Sequence, residues 1–427
     1  MEALVSASDR RGALYRSVWR WHFYAGLLVL PFLGWLAITG GLYLYKNEIE
    51  RLVYAQWIAV PAAGVLPAST LVANVREQTG ATVTQIIRPA ATNESWRMTL
   101  SVDGERRTAF VDPGTGRVLG TTAYGGVMAT VRSLHSLVIT GPIGNALIEI
   151  TAGWTILLVA TGAYLWWPRG RSPALGLRGR PAARLFWRDL HASTGIVAGA
   201  VILFLAVTGM PWSGIWGQAL GRVVAARELG RPAAPVPNDH HGLGWSLAHA
   251  APPASESAGD IGVDRALRIA TQRGIGAPWM LSLPATPGAP YLVSPVARQA
   301  QDARALYLDA GDGRVLQDAS YREFGAGAQA IEWGIATHEG RQYGEINRLV
   351  MLAGCLAILA LVVSAPAMWW KRRPTRGLGA PPAPPHRSRG LVALMCAAGA
   401  VFPLTGLTML IALAVERLAR WWRPQLR

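Results

Sequence analysis

Residues 19–40 read WRWHFYAGLLVLPFLGWLAITG, and residues 187–209 read WRDLHASTGIVAGAVILFLAVTG. Each stretch places a histidine (His22, His191) four residues before a glycine and 17 residues before a Thr-Gly pair. Each is also a largely apolar run of about 20 residues, the length that crosses the hydrocarbon core of a membrane as a helix. The repetition of one span with one histidine at a fixed place predicts a duplicated membrane protein.

The composition of the whole chain agrees with a membrane protein. Of its residues, 51% are hydrophobic and only 15% are charged, whereas about a quarter of the residues of a typical soluble domain are charged. The first apolar run is too long for a cleaved signal peptide, so we expect a retained anchor. Five stretches are long and apolar enough to be spans: 23–45, 143–167, 192–216, 347–370 and 391–415.

The regions between the spans also repeat. His135 and His338 each lie six residues before a glycine and 31 residues before a Trp-Trp pair. Residues 108–119 (TAFVDPGTGRVL) and 305–316 (ALYLDAGDGRVL) each predict a β-hairpin, and helices are expected before them at 69–80 and 263–274. The predicted fold is an α-helical integral membrane bundle of five spans, two plus two duplicated and one added, with two small α+β domains outside.

The net charge of +16 does not indicate nucleic-acid binding, because the basic residues concentrate in short loops, where they mark the cytoplasmic side. The N-terminus is therefore expected inside. A basic tail after the fifth span would lie outside, against this rule. The loop residues are Arg10, Arg11, Arg16 and Arg20; Arg169, Arg171, Arg178, Arg180, Arg184 and Arg188; and Lys371, Arg372, Arg373, Arg376, Arg387 and Arg389.

These features divide the chain into nine predicted segments. They are a cytoplasmic N-terminus with the first span (1–45), the first outside domain (46–134), a histidine segment with the second span (135–170), a basic cytoplasmic loop (171–190), the third span (191–216), the second outside domain (217–337), a histidine segment with the fourth span (338–374), a cytoplasmic linker (375–390), and the fifth span with its tail (391–427).

The four repeated histidines are the candidate ligands. Imidazole is the commonest neutral metal ligand, and two imidazoles hold haem iron with no open position. Topology pairs His22 with His191 at the cytoplasmic ends of their spans, and His135 with His338 at the outer ends. This predicts two b-type haems, with Gly26 and Gly195 leaving room for a flat ring at the inner one. Non-haem metal at the same positions, or quinone or proton handling, are the alternatives left open.

Four arginines lie within three residues of these histidines and are candidate partners for haem propionates, by charge pairing: Arg20, Arg188, Arg132 and Arg341. Glu149, inside the second span, is either a proton or substrate site or a buried hydrogen-bonded carboxylate. His240 and His241 are more typical of a solvated loop than of a metal site. A continuous helix from His135 to Trp166 would be about 46 Å long, more than the roughly 30 Å of the hydrocarbon core. Either the chain bends at Gly141-Pro142, or His135 lies above the membrane.

The motifs WHFYAGL, TGAYLWWPR, DLHASTG and THEGRQYGEINR resemble the PepSY-associated transmembrane family. VDPGTGRVLG and LDAGDGRVLQ resemble the ends of PepSY domains. The resemblance covers about residues 15–375. It implies a bacterial inner-membrane protein similar to ferric-siderophore reductases and iron-regulated membrane proteins, in which span histidines bind b-type haem; here these match His22, His135, His191 and His338.

The resemblance therefore implies a dihaem oxidoreductase. Electrons would pass from an unidentified cytoplasmic or membrane donor to the inner haem, then to the outer haem and to a ferric chelate such as a ferric siderophore. The other functions considered are a non-redox PepSY regulator on a membrane anchor, which leaves the four histidines unexplained, and a transporter, which predicts broken spans and intramembrane charges.

Overall fold

The computed structural model describes residues 7–61, 64–167, 175–227, 253–374, 379–381 and 389–422. The chain divides into two compact units. We call the first, Met1–Leu42, Ser133–Leu220 and Arg348–Arg427, the membrane unit. We call the second, Tyr43–Arg132 and Gly221–Asn347, the sheet unit.

The described helices follow the apolar runs of the sequence and the short segments beside the strands. In chain order they are α1 (Ala7–Tyr43), α2 (Lys46–Val53), α3 (Ala55–Ile58), α4 (Ala68–Thr79), α5 (Gly126–His135), α6 (Gly141–Trp166), α7 (Arg184–Val197), α8 (Gly199–Gly209), α9 (Ile215–Ala226), α10 (Val263–Gln272), α11 (Ala326–His338), α12 (Gly344–Trp370), α13 (Arg389–Val401) and α14 (Pro403–Trp422).

Three helical segments of the described chain are long and apolar enough to cross a membrane: Gly12–Tyr43, Val138–Trp166 and Gly344–Trp370. The third predicted span is broken. Helices α7 and α8 meet at a bend of 60° and would make a fourth crossing if they form one span. Glycines Gly195 and Gly199 flank the bend, as is common where helices kink.

The predicted fifth span at 391–415 differs from the structure, which has two helices there, α13 and α14. The break falls at Phe402, because the residue before a proline disfavours the helical conformation and Pro403 suits the first position of a new helix. The helices approach closely at Gly399 and Gly406, since a Cβ on Gly406 would lie 2.7 Å from the Cα of Gly399.

The strands of the sheet unit form one eight-stranded sheet. They are β1 (Thr82–Arg88), β2 (Trp96–Val102), β3 (Glu105–Val111), β4 (Val118–Ala123), β5 (Trp279–Ser282), β6 (Tyr291–Pro295), β7 (Arg304–Leu308) and β8 (Val315–Ser320), in the order β4-β3-β2-β1-β5-β6-β7-β8. All neighbours in the sheet are antiparallel.

The structure thus differs from the prediction of two separate small domains. Strands β1 and β5 pair from Gln85↔Ser282 to Arg88↔Trp279 and join the two four-stranded halves. Left apart, each half would expose an unpaired strand edge, a template for unwanted association. Leu71 of α4, Ala266 of α10 and Leu281 of β5 share one hydrophobic core with residues of both halves.

The two predicted hairpins end in the same turn. In β3–β4, Asp112 N donates to Arg117 O (3.0 Å) and Gly116 N to Asp112 O (2.8 Å). In β7–β8, Asp309 N donates to Arg314 O (2.9 Å) and Gly313 N to Asp309 O (3.0 Å). Gly116 and Gly313 have φ of 73° and 82°, a conformation that glycine adopts without steric cost.

The chain bends before α6, as the length argument required. Helix α5 ends at His135, a single 3₁₀ turn covers Val138–Thr140, and α6 begins at Gly141. Leu137 and Gly141 take positive φ values of 50° and 80° at the two ends of the turn. His135 therefore belongs to a segment before the second span and not to the span itself.

Candidate functional site

The membrane unit encloses a cavity of about 880 Å³ among all four helical spans. Such a volume lies within the range of cofactor and small-molecule pockets. Its walls are mainly aliphatic and aromatic, and they include Leu30 of α1, Leu158 of α6, Ile202 of α8 and Ile358 of α12. The cavity is therefore a space for a large apolar group.

Two histidines face each other in this cavity. His22 projects from α1 and His191 from α7, and both line the wall. Their ring centroids are 6.5 Å apart and their planes are nearly perpendicular, at 87°. The structure thus brings together the two residues that the span repeat had paired.

The hydrogen bonds of these histidines define which nitrogen is free. His22 Nδ1 lies 2.9 Å from Thr161 Oγ1, and that hydroxyl donates its own proton to Leu157 O at 2.7 Å. With its own proton placed on that carbonyl, the Thr161 oxygen is able to accept from Nδ1–H of His22, the tautomer in which Nε2 carries the lone pair that binds a metal.

His191 is held in the same way from a different helix. Its Nδ1 lies 3.1 Å from Ser364 Oγ, and Ser364 Oγ donates to Leu361 O at 3.3 Å. The same arrangement at both rings favours the Nδ1–H tautomer, in which Nε2 is the metal-binding nitrogen.

The two glycines singled out in the sequence line this cavity. A Cβ placed on Gly26 would meet no atom within 4 Å, and one on Gly195 would meet only Leu361 Cδ2, at 3.8 Å. Their missing side chains leave open space beside each histidine. Gly162 of α6 lies closer to a ring, because its Cβ would stand 3.3 Å from Cε1 of His22.

One end of the cavity is basic. Arg178, Arg184 and Arg188 line it together with Asp189. Asp189 accepts from Arg178 (2.7 Å) and from Arg188 (2.8 Å), so the carboxylate orients two of the three guanidinium groups. Arg188 was a sequence candidate for propionate binding, whereas Arg178 and Arg184 were recognised only as loop charges.

Arg20, the other candidate on the inner side, does not line the cavity. Its guanidinium donates to Pro381 O at 2.8 Å and pairs with Glu416 at 3.2 Å. It also lies over the ring of Tyr24, 5.2 Å from the centroid. The structure therefore ties Arg20 to the C-terminal helices.

His135 has the same hydrogen-bond arrangement as the inner histidines. Its Nδ1 lies 2.9 Å from Thr39 Oγ1, and that hydroxyl donates to Trp35 O at 2.7 Å. Trp35 Nε1 donates to Leu134 O (2.7 Å) beside it. A Cβ on Gly40 would stand 3.2 Å from Cε1 of His135, so glycine is what lets the ring approach α1.

His338, the predicted partner of His135, belongs to the sheet unit, so the pairing of these two stays a prediction. His338 is half-buried at the end of α11. Burial lowers its pKa, against the opposing effect of Glu339. The imidazole is thus held neutral, as a metal ligand must be.

Glu339 organises the charges around His338. Burial alone would raise the pKa of Glu339, but Lys46 and Arg341 outweigh it and lower that pKa to about 2. Arg341 Nε donates to Glu339 at 2.8 Å, and Lys46 lies 3.8 Å from the same oxygen. Arg341 also donates to Arg298 O at 3.0 Å. Arg132 is half-buried near the end of α5.

Glu149 is a buried carboxylate with a defined structural role. It is 3% exposed and accepts hydrogen bonds from the backbone N–H of Ile215 (2.9 Å) and Trp216 (3.2 Å). These are the first N–H groups of α9, which have no partner inside the helix and favour a negative charge. Of its two possible roles, the structure supports the hydrogen-bonded carboxylate.

His240 and His241 lie outside the described residues. In the described part of the chain, no group of three or more His, Cys, Asp or Glu side chains could hold a metal ion. A candidate metal site in this part of the chain therefore offers at most two His, Cys, Asp or Glu ligands.

Comparison with known proteins adds one finding. Residues 19–372 match the PepSY-associated TM region, which is most of the chain. The chain belongs to the PepSY-associated TM family. It is accordingly a membrane protein. A search of curated proteins gave no match.

In this member of the PepSY-associated TM family, sequence reasoning missed the hydroxyls that hold the histidines. Thr161 and Ser364 each lie five residues before a Trp-Trp pair, so the repeat contained the signal. A threonine or serine inside a span is usually interpreted as bonding to its own helix. Here that bond is present, and it directs the oxygen's lone pairs toward a histidine.

Proposed function

We propose that this protein is a haem-b-containing transmembrane electron-transfer protein that reduces a ferric chelate of the siderophore type. The observation that carries the proposal is the His22–His191 pair, two imidazoles whose ring centroids lie 6.5 Å apart in the wall of one large apolar cavity. Bis-histidine ligation is one of the ways proteins hold haem iron for electron transfer.

The spacing of the two rings supports a shared metal ion. Their centroids are 6.5 Å apart, and a metal–imidazole nitrogen bond is about 2.0 Å, so the two histidines are close enough that both would be able to hold one iron.

The donor set favours a tetrapyrrole over a bare ion. A bare zinc or iron site needs three or four protein ligands, and two imidazoles in an aliphatic cavity do not supply them. A porphyrin brings four nitrogens of its own and a flat apolar surface. The open space beside Gly26 and Gly195 suits such a ring, and Arg178, Arg184 and Arg188 suit its carboxylates.

Each residue of the cavity then has a stated role. When bound, haem would supply reversible one-electron chemistry without an open coordination position. His22 and His191 would hold the iron, Thr161 and Ser364 would fix their tautomers, and the aliphatic wall would exclude water.

A second site of the same kind is proposed at His135 and His338 toward the outer side. His135 supports this, because a hydroxyl on a neighbouring helix, that of Thr39, holds its Nδ1 as Thr161 and Ser364 hold the inner histidines. The matching spacings of the two halves, and the shared turn at Asp112 and Asp309, support a duplicated unit with one histidine at each end. The chelate would receive its electron on the outer side, and a cytoplasmic or membrane donor would supply it.

Reduction releases iron because hard oxygen ligands bind Fe(III) more strongly than Fe(II). One electron enters the chelate for each iron released, and no covalent bond to the protein is required. The protein contributes ligands, burial and docking.

The transporter alternative predicts broken spans and intramembrane charges. The third span is bent by 60°, but the bend lies in the wall of the histidine cavity, between His191 and Ile202. Glu149 is engaged by the start of α9. These observations favour a cofactor site over a transport path.

The proposed reaction can be tested with purified protein that has been reduced with stoichiometric dithionite under anaerobic conditions. On addition of a ferric siderophore we expect the reduced haem bands to return to the oxidised form, with one Fe(II) trapped by ferrozine for each haem oxidised. The matched control is the same siderophore loaded with redox-inert Ga(III), which should leave the bands unchanged. Stable reduced bands with the ferric chelate, in a protein that contains haem, would reject the substrate class.

A further inference from the structure

We propose that Thr161 and Ser364 are positioning residues that set the electronic properties of His22 and His191. This inference rests on the proposed haem site. The two hydroxyls occupy matching places, five residues before a Trp-Trp pair in the second and fourth spans. Each one holds the histidine of the preceding span in the chain, so the ligands are fixed between helices.

The chemistry of the acceptor explains the choice of residue. A carboxylate beside Nδ1 would draw the proton away and give the ring imidazolate character, whereas a hydroxyl accepts a bond and leaves the ring neutral. Thr161 and Ser364 accept because each gives its own proton to a carbonyl of its own helix, Leu157 O or Leu361 O. The bond still raises the basicity of Nε2, the ligating atom.

The variant Thr161→Val keeps the shape of the side chain and removes the acceptor. Loss of such an outer partner typically weakens metal binding by about ten- to a hundredfold, so we expect weaker retention of haem. A poorer donor also stabilises the ferric state less, so the midpoint potential of the remaining haem should rise. Thr161→Ser should restore both properties.

Thr151→Val is the matched control. Thr151 lies on the same helix as Thr161, and its hydroxyl likewise donates to a carbonyl of that helix, Leu147 O at 2.7 Å, but it does not line the cavity. Haem retention and potential should stay at wild-type values in this variant. If Thr161→Val also matches wild type in both measurements, the positioning role is refuted while the haem site stands; absence of haem from the wild-type protein refutes the proposed function itself.

A separate observation concerns the C-terminal helices. We infer that α13 and α14 form a re-entrant hairpin whose two ends lie on the same side of the membrane. The described segment that precedes the hairpin in the chain and the returning helix α14 both contact one side chain: Arg20 donates to Pro381 O at 2.8 Å and pairs with Glu416 at 3.2 Å. Arg20 lies at the N-terminal end of the first span.

The tip of the hairpin lies well inside the membrane unit. Trp216 Nε1 donates to Val401 O at 3.0 Å and its ring stacks on Phe402. A Cβ on Gly153 would meet Thr405 and Phe402, and Gly153 is about 18 Å along α6 from its first residue, near the middle of the helix. Helix α14 then returns along Trp154, which donates to Thr408 at 2.9 Å.

This arrangement accounts for the charge of the tail. A straight fifth span would carry Arg417 and the residues after it to the outside, against the positive-inside rule. A hairpin returns them to the side that holds Lys371, Arg372 and Arg373. The basic tail then obeys the rule.

The sidedness can be measured by labelling single cysteines in intact spheroplasts with a membrane-impermeant maleimide. In a Cys355→Ala, Cys396→Ala background, Leu418→Cys reports the tail. Arg180→Cys, in the loop between the second and third spans, and Glu105→Cys, in the sheet, report the two sides. We expect Leu418→Cys to be protected like Arg180→Cys and labelled only after lysis. Labelling in intact spheroplasts, as for Glu105→Cys, would overturn the hairpin.

Discussion

Each of the three described histidines in the membrane unit has its Nδ1 within hydrogen-bond distance of a hydroxyl on a neighbouring helix. His22, His135 and His191 contact Thr161, Thr39 and Ser364 in this way, and each hydroxyl also donates to a carbonyl of its own helix. A ring whose orientation is already fixed needs little rearrangement before it binds a metal. At the scale of single residues, the site is thus prepared by the orientation of its histidines.

The space beside His22 gives a residue-scale prediction. Gly26 has no atom within 4 Å of a built Cβ, so Gly26→Ala should bind cofactor as the wild type does. Gly26→Leu places a branched side chain in the space proposed for the ring. We expect it to lose the inner haem, measured as absorbance per chain, while its elution on size exclusion is unchanged. Full haem content in Gly26→Leu would contradict the assignment of this cavity.

The sequence predicted part of this residue-scale picture. The repeat paired His22 with His191, and the glycines near them indicated open space. The partner of Arg20 could not be predicted, because it depends on how α14 returns, which no local pattern specifies. The sequence did not distinguish Arg178 and Arg184 from the other basic residues of the loop, because only the fold shows which of them line the cavity.

At the scale of elements, one helix and one turn depend on buried carboxylates. Glu149 of α6 caps α9, and Asp309 holds the turn between β7 and β8 together with the segment at Glu256. In both cases backbone N–H groups donate hydrogen bonds that stabilise the buried carboxylate. Each is therefore testable by removing the charge while keeping the shape.

For Glu149 we expect a stability effect and no catalytic one. Glu149→Leu leaves two backbone N–H groups without acceptors, at about 1–3 kcal/mol for an unsatisfied buried group. The melting temperature of Glu149→Leu in detergent should be clearly lower than that of the wild type. Glu149→Gln keeps a hydrogen-bond acceptor, so its melting temperature should be lowered less. A pH-dependent loss of electron transfer in Glu149→Gln, with an unchanged melting temperature, would instead support a proton-handling role.

For Asp309 we expect a pH-dependent effect. Burial alone would raise the pKa of its carboxyl, but the N–H groups of Glu256, Gly311, Asp312 and Ser257 hold that pKa well below its usual range. A lowered native pKa stabilises the fold above the unfolded value, about 3.9, and this contribution is lost as pH falls below it. The free energy of unfolding, measured with urea, should therefore fall more between pH 5 and pH 3 for the wild type than for Asp309→Asn.

The equivalent turn provides the control for that comparison. Asp112 accepts one backbone N–H, from Gly114 (2.9 Å), and the hydroxyl of Thr115 (2.8 Å). Because fewer backbone groups depend on it, Asp112→Asn should cost less stability at pH 7 than Asp309→Asn. Equal losses in the two variants would show that the buried N–H cluster around Asp309 adds nothing.

Element types were largely predictable, and element connections were not. The repeated Gly-containing turns predicted two hairpins, and the segments before them predicted the helices now seen as α4 and α10; the structure confirms all four elements. Strands β5 and β6 were not predicted, because the stretch before Leu306 is rich in alanine and proline, which are uncommon in strands. The division of the fifth apolar run was signalled by Pro403, but its length alone favoured a single span.

At the scale of the whole molecule, the chain combines a membrane unit with a single sheet built from two distant segments. The pairing of β1 with β5 joins residues almost 200 positions apart, and periodicity cannot specify such a partner. His22 and His191 in the membrane unit are also far apart in the sequence. Matching repeats made that second pairing predictable, because a symmetric arrangement places equivalent residues at one level.

The most direct measurement is the absorption spectrum of the purified protein, oxidised and dithionite-reduced, with haem counted per chain. We predict low-spin bis-histidine spectra and two haems in the wild type. His22→Ala and His191→Ala should each lose the same haem, and the double variant should lose no more than either single variant. A wild-type protein without a Soret band, or a double variant that loses twice as much haem as either single one, would contradict the paired site.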